Sequence, residues 1–195
     1  MPKQPRAAKP NSFHAKLAGG TRTSLGRTNA VVAEVLAATH KFPALLACLA
    51  QVDDEDSDKS AANAILLMRA SDAIEKISRQ RPEWLTPHKL EFLGLAGGTD
   101  QVEVRWHMAQ ILPRLSLTPR ERIVAIDILF DYLKDRSSIV KTHAMQGLAD
   151  FAARDPKLKS KILPLLEELA QIGTAAMRAR GRKLLAHLNR PAPSV

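Results

Sequence analysis

The sequence predicts an all-α chain of about nine helices, and three observations carry that expectation. Apolar residues make up 45% of the 195 positions and aromatics only 4%. With Ala and Leu abundant, that mixture favours helices packed through small residues over sheets, which draw on Val, Thr and Tyr. Apolar residues also recur at helical spacing: Val104, Met108, Ile111, Leu112 and Leu115 fall at i, i+4, i+7, i+8 and i+11, one stripe of a helix. Finally, that stripe returns at a near-fixed interval, because Val104-Arg105, Val140-Lys141 and Met177-Arg178 are spaced by 36 and 37 residues.

Residues 1–27 carry Pro2, Pro5, Pro10, Gly19, Gly20 and Gly26 and no sustained apolar period, so they are expected to be a disordered basic arm. Lys3, Arg6, Lys9, Lys16, Arg22 and Arg27 lie there with no acidic residue, and the arm therefore supplies most of the net charge of +9. It has no apolar core of a secretory signal. A helical body is expected over 28–189 and a frayed tail over 190–195.

Within the body, Val31, Val32, Val35 and Leu36 predict a helix over 29–38, and a second runs over 42–52 with Pro43 in its first turn. Cys48, the only cysteine, falls on its apolar side and is expected to be buried and inert. Asp53–Asp58 is an acidic loop. Asp54, Asp56 and Asp58 imitate the opening of a calcium loop, but Lys59 stands where glycine is needed and Ile65 where the bidentate Glu belongs. A solvated loop placing negative charge at a helix N-terminus is the preferred reading.

The third helix spans 59–80 and ends at Arg81-Pro82. Thr86-Pro87 opens the fourth, which stops at Gly97-Gly98. The fifth covers 101–115. Thr118-Pro119-Arg120-Glu121 combines a capping box with a first-turn proline and opens the sixth. That helix is apolar on two sides, with Ile123, Ile126, Leu129, Phe130 and Leu133 on one and Val124, Ile128 and Tyr132 on the other, so it is expected to be sandwiched between neighbours. The seventh runs over 138–153. Asp155-Pro156 starts the eighth, which Pro164 should bend, and Gly173 ends it. Thr174 caps the ninth, which reaches about Asn189.

The repeat extends beyond its opening dipeptide. Four residues on come Met108, Ala144 and Gly181; eight on, Leu112, Leu148 and Leu185; eleven on, Leu115, Phe151 and Leu188. Ala73 and Ile77 continue two of these columns one period earlier, behind Arg69-Ala70. A pair of helices cannot bury such a stripe alone, so the pairs must stack. The apolar-basic dipeptide, the small residue four on and the leucine eight on resemble HEAT-type and armadillo-like repeats, over roughly 28–189. The resemblance implies a right-handed superhelix (α-solenoid) of stacked antiparallel helix pairs. It also implies a binding module, since such repeats serve scaffolds, adaptors, transport receptors, lyase relatives and a family of alkylpurine DNA glycosylases. The glycosylases would imply a concave basic groove lined by aromatic residues and an acid. Trp84, Trp106 and Tyr132 are the only Trp and Tyr here, and that family's catalytic set does not map onto this chain residue by residue.

Two constellations are candidate sites. Trp106 lies roughly opposite the core stripe, with Arg105 and His107 flanking that stripe. These three are candidate partner contacts, weighed against packing on the next unit for Trp106 and a cross-unit bond for Arg105. Arg178, Arg180, Arg182 and Lys183 lie on a helix without an acid, Arg178 and Arg182 flanking one side of its core stripe and Arg180 and Lys183 the other, a candidate phosphate contact weighed against the polar outer face of a terminal unit. Neither a metal site, a cofactor motif nor a catalytic set is read from the sequence, and no apolar run approaches the ~20 residues of a membrane span. The expectation is a monomeric, cytoplasmic, non-enzymatic scaffold that binds a protein through its concave face. The alternative is a nucleic-acid-binding repeat protein using the basic arm and the last helix.

Overall fold

The computed structural model describes residues 12–18, 24, 26–49 and 57–190. Among these the regular structure is entirely helical, and no strand occurs. The chain divides into two units, 1–77 and 78–195.

The first unit holds α1 (Ser12–Leu17), α2 (Thr28–Ala37), α3 (Phe42–Leu46) and all but the last residue of α4 (Ser57–Ser78). α1 corrects the expectation of an arm disordered throughout 1–27. Phe13 and Leu17, one turn apart, are wholly buried, and α1 packs on α2 and α3. A six-residue helix is too short to hold itself together in water, so this packing is what sustains it. Lys16 Nζ on α1 reaches Glu34 Oε2 on α2 at 2.5 Å, and Lys41 Nζ reaches the other carboxylate oxygen at 2.7 Å. Hydrogen bonds from Lys16 and then Lys41 pull the Glu34 pKa down to about 2.

Arg69 of α4 is also fully buried, and its guanidinium donates to Leu17 O at 2.7 Å and to Ser24 O at 3.1 and 3.0 Å. Gly26, at φ +52°, lies against it; a Cβ there would stand 3.0 Å from the guanidinium carbon. The arginine thus ties the end of α1 and the turn before α2 to α4. Cys48 is buried, as its helix face predicts. The rest of the arm, Asp53–Asp56 of the acidic loop and 191–195 of the tail lie outside the described residues.

The second unit holds α5 (Lys89–Gly98), α6 (Val102–Ile111), α7 (Pro119–Tyr132), α8 (Ser138–Ala152), α9 (Pro156–Ile172) and α10 (Ala175–Leu188). The predicted caps form. Thr118 Oγ1 accepts from Glu121 N while Glu121 Oε2 accepts from Thr118 N at 2.7 Å. Asp155 Oδ1 takes the amides of Lys157 and Leu158, and Thr174 Oγ1 takes that of Met177. Thr86-Pro87 does not open α5, however. It lies in a 3₁₀ segment, Pro82–His88, and the α-helix starts at Lys89.

α8 is the central element and packs on α6, α7, α9 and α10, while α5 packs on α6 and α7. The repeat columns are its core: Val104, Val140, Met108, Ala144, Leu112 and Leu148 are fully buried, and Met177, Leu115, Phe151 and Leu188 nearly so. Leu185 is half-buried. Helices approach closely where the side chain vanishes. A Cβ on Gly147 would meet Ala109 O at 2.8 Å and Leu129 Cδ1 at 2.9 Å, and one on Gly181 would meet Ala170 Cβ at 2.9 Å. α7 corrects the sandwich expectation. Ala125, Leu129 and Tyr132 are buried, but Ile123 (60% exposed), Val124 and Phe130 face solvent. Burial follows one stripe that takes Leu129 from one predicted side and Tyr132 from the other, so each side is only partly covered.

Side-chain bonds run between neighbouring helix pairs at a recurring separation. Lys89 reaches Glu121, Arg122 reaches Asp155 and Ser138 Oγ meets Thr174 Oγ1, each at 2.7 Å, and the partners stand 32, 33 and 36 residues apart.

Candidate functional site

The site is built on α6, α8 and α10; α8 packs against both of the others, and all three bury the column of Met108, Ala144 and Gly181. At the start of α6, Arg105 Nε donates to Thr99 O at 2.7 Å, and its two terminal nitrogens reach Asp135 Oδ2 at 2.7 Å and Asp100 Oδ1 at 2.8 Å. Its guanidinium carbon lies 5.5 Å from the centre of the Tyr132 ring. Tyr132 OH donates to Ala96 O at 2.7 Å.

Electrostatics follow from that geometry. Burial works against both charges, yet the Arg105–Asp135 hydrogen bond prevails and holds the Arg105 pKa above its ordinary value. The Ser137 amide and Arg105 together hold the Asp135 pKa below its ordinary value against burial. Burial raises the Tyr132 pKa. Arg105 is thus a joint between helix pairs.

Trp106 is half-buried, and its indole N–H donates to His107 Nε2 at 2.9 Å, with the rings edge to face. His107 is 7% exposed. Of the three residues singled out on this helix, Trp106 alone keeps surface that is not already committed to the fold. Between α10 and α8, Arg180 NH1 donates to Gln146 Oε1 at 3.0 Å, and Gln146 Nε2 donates to Asp150 Oδ1 at 2.8 Å. Burial raises the Asp150 pKa against the opposing Gln146 bond and the charges of Arg114, Arg154 and His187.

The basic quartet of the last helix is divided between the two sides of its core stripe. Arg178 NH1 turns back to Gly173 O at 2.7 Å, Arg180 is engaged with α8, and Arg182 and Lys183 are exposed. The helix period sends Arg178 and Arg182 to one side and Arg180 and Lys183 to the other.

A feature that the sequence reading missed lies at the C-terminal ends of these helices. Ser78, Arg79, Pro82, Pro113, Arg114, Asp150, Ala153 and Arg154 line an open cleft of about 640 Å³. Arg114 NH1 donates to Ser78 Oγ at 2.7 Å, and Arg154 NH2 donates to Pro113 O at 2.7 Å. The signal was available: Arg79 directly follows α4, Arg114 closes the 3₁₀ turn Leu112–Arg114 after α6, and Arg154 stands two residues past the end of α8.

Among the described residues, no three His, Cys, Asp or Glu side chains stand close enough to share a metal ion. His88 and Glu91 form an exposed pair at 3.0 Å on the surface of α5. No described helix is long and apolar enough to cross a membrane. Among the described residues the fold is all-helical, with Trp106 on α6 and the Arg180–Gln146–Asp150 bonds joining α10 to α8. No family model, curated protein or solved structure matches the chain.

Proposed function

We propose that this chain is a non-enzymatic HEAT-like repeat module, a right-handed superhelix of stacked antiparallel helix pairs, that binds a protein partner through the face of α6, α8 and α10. The observation that supports it is the set of side-chain bonds between helix pairs at separations of 30 to 36 residues, from Arg105–Asp135 to Arg114–Ser78. Such bonds suit units stacked in register, and stacked units present an extended face without a dedicated pocket. On that face, half-buried Trp106 has the amphipathic character of a binding anchor, and Arg180 adds a charge at its far side.

The test is affinity capture from the native host, comparing wild type with a Trp106→Ala, Arg180→Glu double variant. Proteins enriched by the wild type should be lost from the variant at unchanged helical content. An unchanged set at unchanged yield would sink the assignment of this face.

Exposed Arg182 and Lys183 favour a second reading, nucleic-acid contact through α10 together with the basic N-terminal residues. That reading requires salt-dependent binding of duplex or single-stranded DNA by the full chain, and lack of affinity at low salt would eliminate it.

A further inference from the structure

We propose that α7 joins two copies of this chain in a reversible two-fold dimer, with Arg120 of each copy paired to Asp127 of the other and Ile123 and Val124 packed between them. Along α7, Ile123 is 60% exposed, Val124 45% and Phe130 37%, and Arg120 and Asp127 are exposed beside them. Arg120 and Asp127 are two helical turns apart, so they lie within about 20° of one line along the helix and about 10.5 Å from each other on its axis. Ile123 and Val124 fall midway, about 50° to either side of that line. The separation is too long for an ion pair within one helix, which joins residues three or four apart.

Single apolar residues on a surface are ordinary and need no partner. The charges set this face apart. Among the described residues, the side chains of Arg120 and Asp127 take part in no ion pair or hydrogen bond. The flanks of the same helix are engaged, since Glu121 holds Lys89 and Arg122 holds Asp155. Arg120 also stands in the first turn, where the helix dipole disfavours a cation, and a carboxylate from outside would offset that. Opposite charges placed about a midpoint are self-complementary. A second copy laid antiparallel, with the two-fold axis between Ile123 and Val124, brings each Arg120 to the other's Asp127. It also sets Ile123 on Val124 and carries Phe130 to half-buried Leu117. A partner of uniform charge would meet one attraction and one repulsion along the same line, so the pattern selects a second copy. This interface uses neither Trp106 nor Arg180, and it replaces the monomer expected from the sequence.

Sedimentation equilibrium of the full chain over a concentration series tests it. The wild type should show a monomer–dimer equilibrium that weakens with salt. Arg120→Asp and Asp127→Arg each turn two attractions into two repulsions and should weaken the dimer about tenfold or more. Neither threatens the helix, because an acid suits its first turn and arginine is a better helix former than aspartate. An equimolar mixture of the two variants should dimerise again, since every pair across the mixed interface is once more opposite in charge; mixing does not repair a damaged fold. Ile123→Ser should weaken the dimer at unchanged helical content. Exposed Arg190→Glu, the same change in net charge at the end of α10, should leave it unchanged. A wild type that stays monomeric throughout would overturn the proposal, as would reversal variants that dimerise like the wild type or a mixture no tighter than its components. A monomeric wild type that captures a protein lost with Arg120→Asp would overturn it too, and would give this face to a different partner.

Discussion

Arg105 and Asp135 are 30 residues apart, and the distance between their charged atoms is 2.7 Å. The Asp135 side chain is 4% exposed and that of Arg105 21%. Asp135→Ala therefore strands a cation with little access to water and also removes the acceptor of the Ser137 amide. The expected cost is about 2–4 kcal/mol, near the lower end for breaking a buried pair because Arg105 keeps some solvent and Asp100; urea denaturation measures it, and a loss below about 1 kcal/mol would count against the joint. The role of Arg105 was legible in the sequence from its place in the repeating dipeptide. That of His107 was not. Helix geometry places residues 106 and 107 about 100° apart, which says nothing of an indole N–H reaching across to its neighbour's ring.

Helices declared themselves through their ends. Thr118-Pro119, Asp155-Pro156 and Gly173-Thr174 set the limits of α7, α9 and α10, since capping is local chemistry. Burial was less legible. The two apolar sides of α7 predict a sandwich, but burial is confined to the stripe of Ala125, Leu129 and Tyr132, and Ile123, Val124 and Phe130 remain in water. α1 was missed for the opposite reason: Phe13 and Leu17 make only one turn of apolar spacing amid Pro and Gly, and the helix exists through contacts distant in sequence. Close helix packing also depends on absent atoms. Gly147→Ala should cost about 1–3 kcal/mol by forcing α8 away from α6 and Leu129, despite the better helix propensity of alanine. A stabilised variant in thermal melts would show that the contact relaxes freely.

At the scale of the whole chain, recurrence at 36 and 37 residues made the columns of the second unit readable, and the same columns position the arginine cleft. The apolar recurrence alone does not reveal Arg79, Arg114 and Arg154 near the ends of α4, α6 and α8. The two units should respond separately to acid. The folded-state pKa of Glu34 is depressed to about 2, so its contribution is fully present above the unfolded value near 4.5 and is lost as pH falls toward 2. Hydrogen exchange should show protection of α1 and α2 amides falling through that window. Glu34→Gln should abolish that step while leaving α7–α10 amides unchanged, and an identical acid profile in the variant would remove Glu34 as the clip.

Tyr132 is the chain's one tyrosine, and it is 2% exposed with its hydroxyl donated to Ala96 O. Every change in tyrosinate absorbance therefore comes from a single joint between α5 and α7. Its pKa is raised in the folded state, so that state retains the phenolic proton above pH 10, where an unfolded chain ionises; stability is intact below pH 10 and declines above it. An alkaline titration followed at the tyrosinate band should give a late, steep rise in the native protein and an ordinary one in urea. The fold thus contains its own optical reporter of whether that joint is closed.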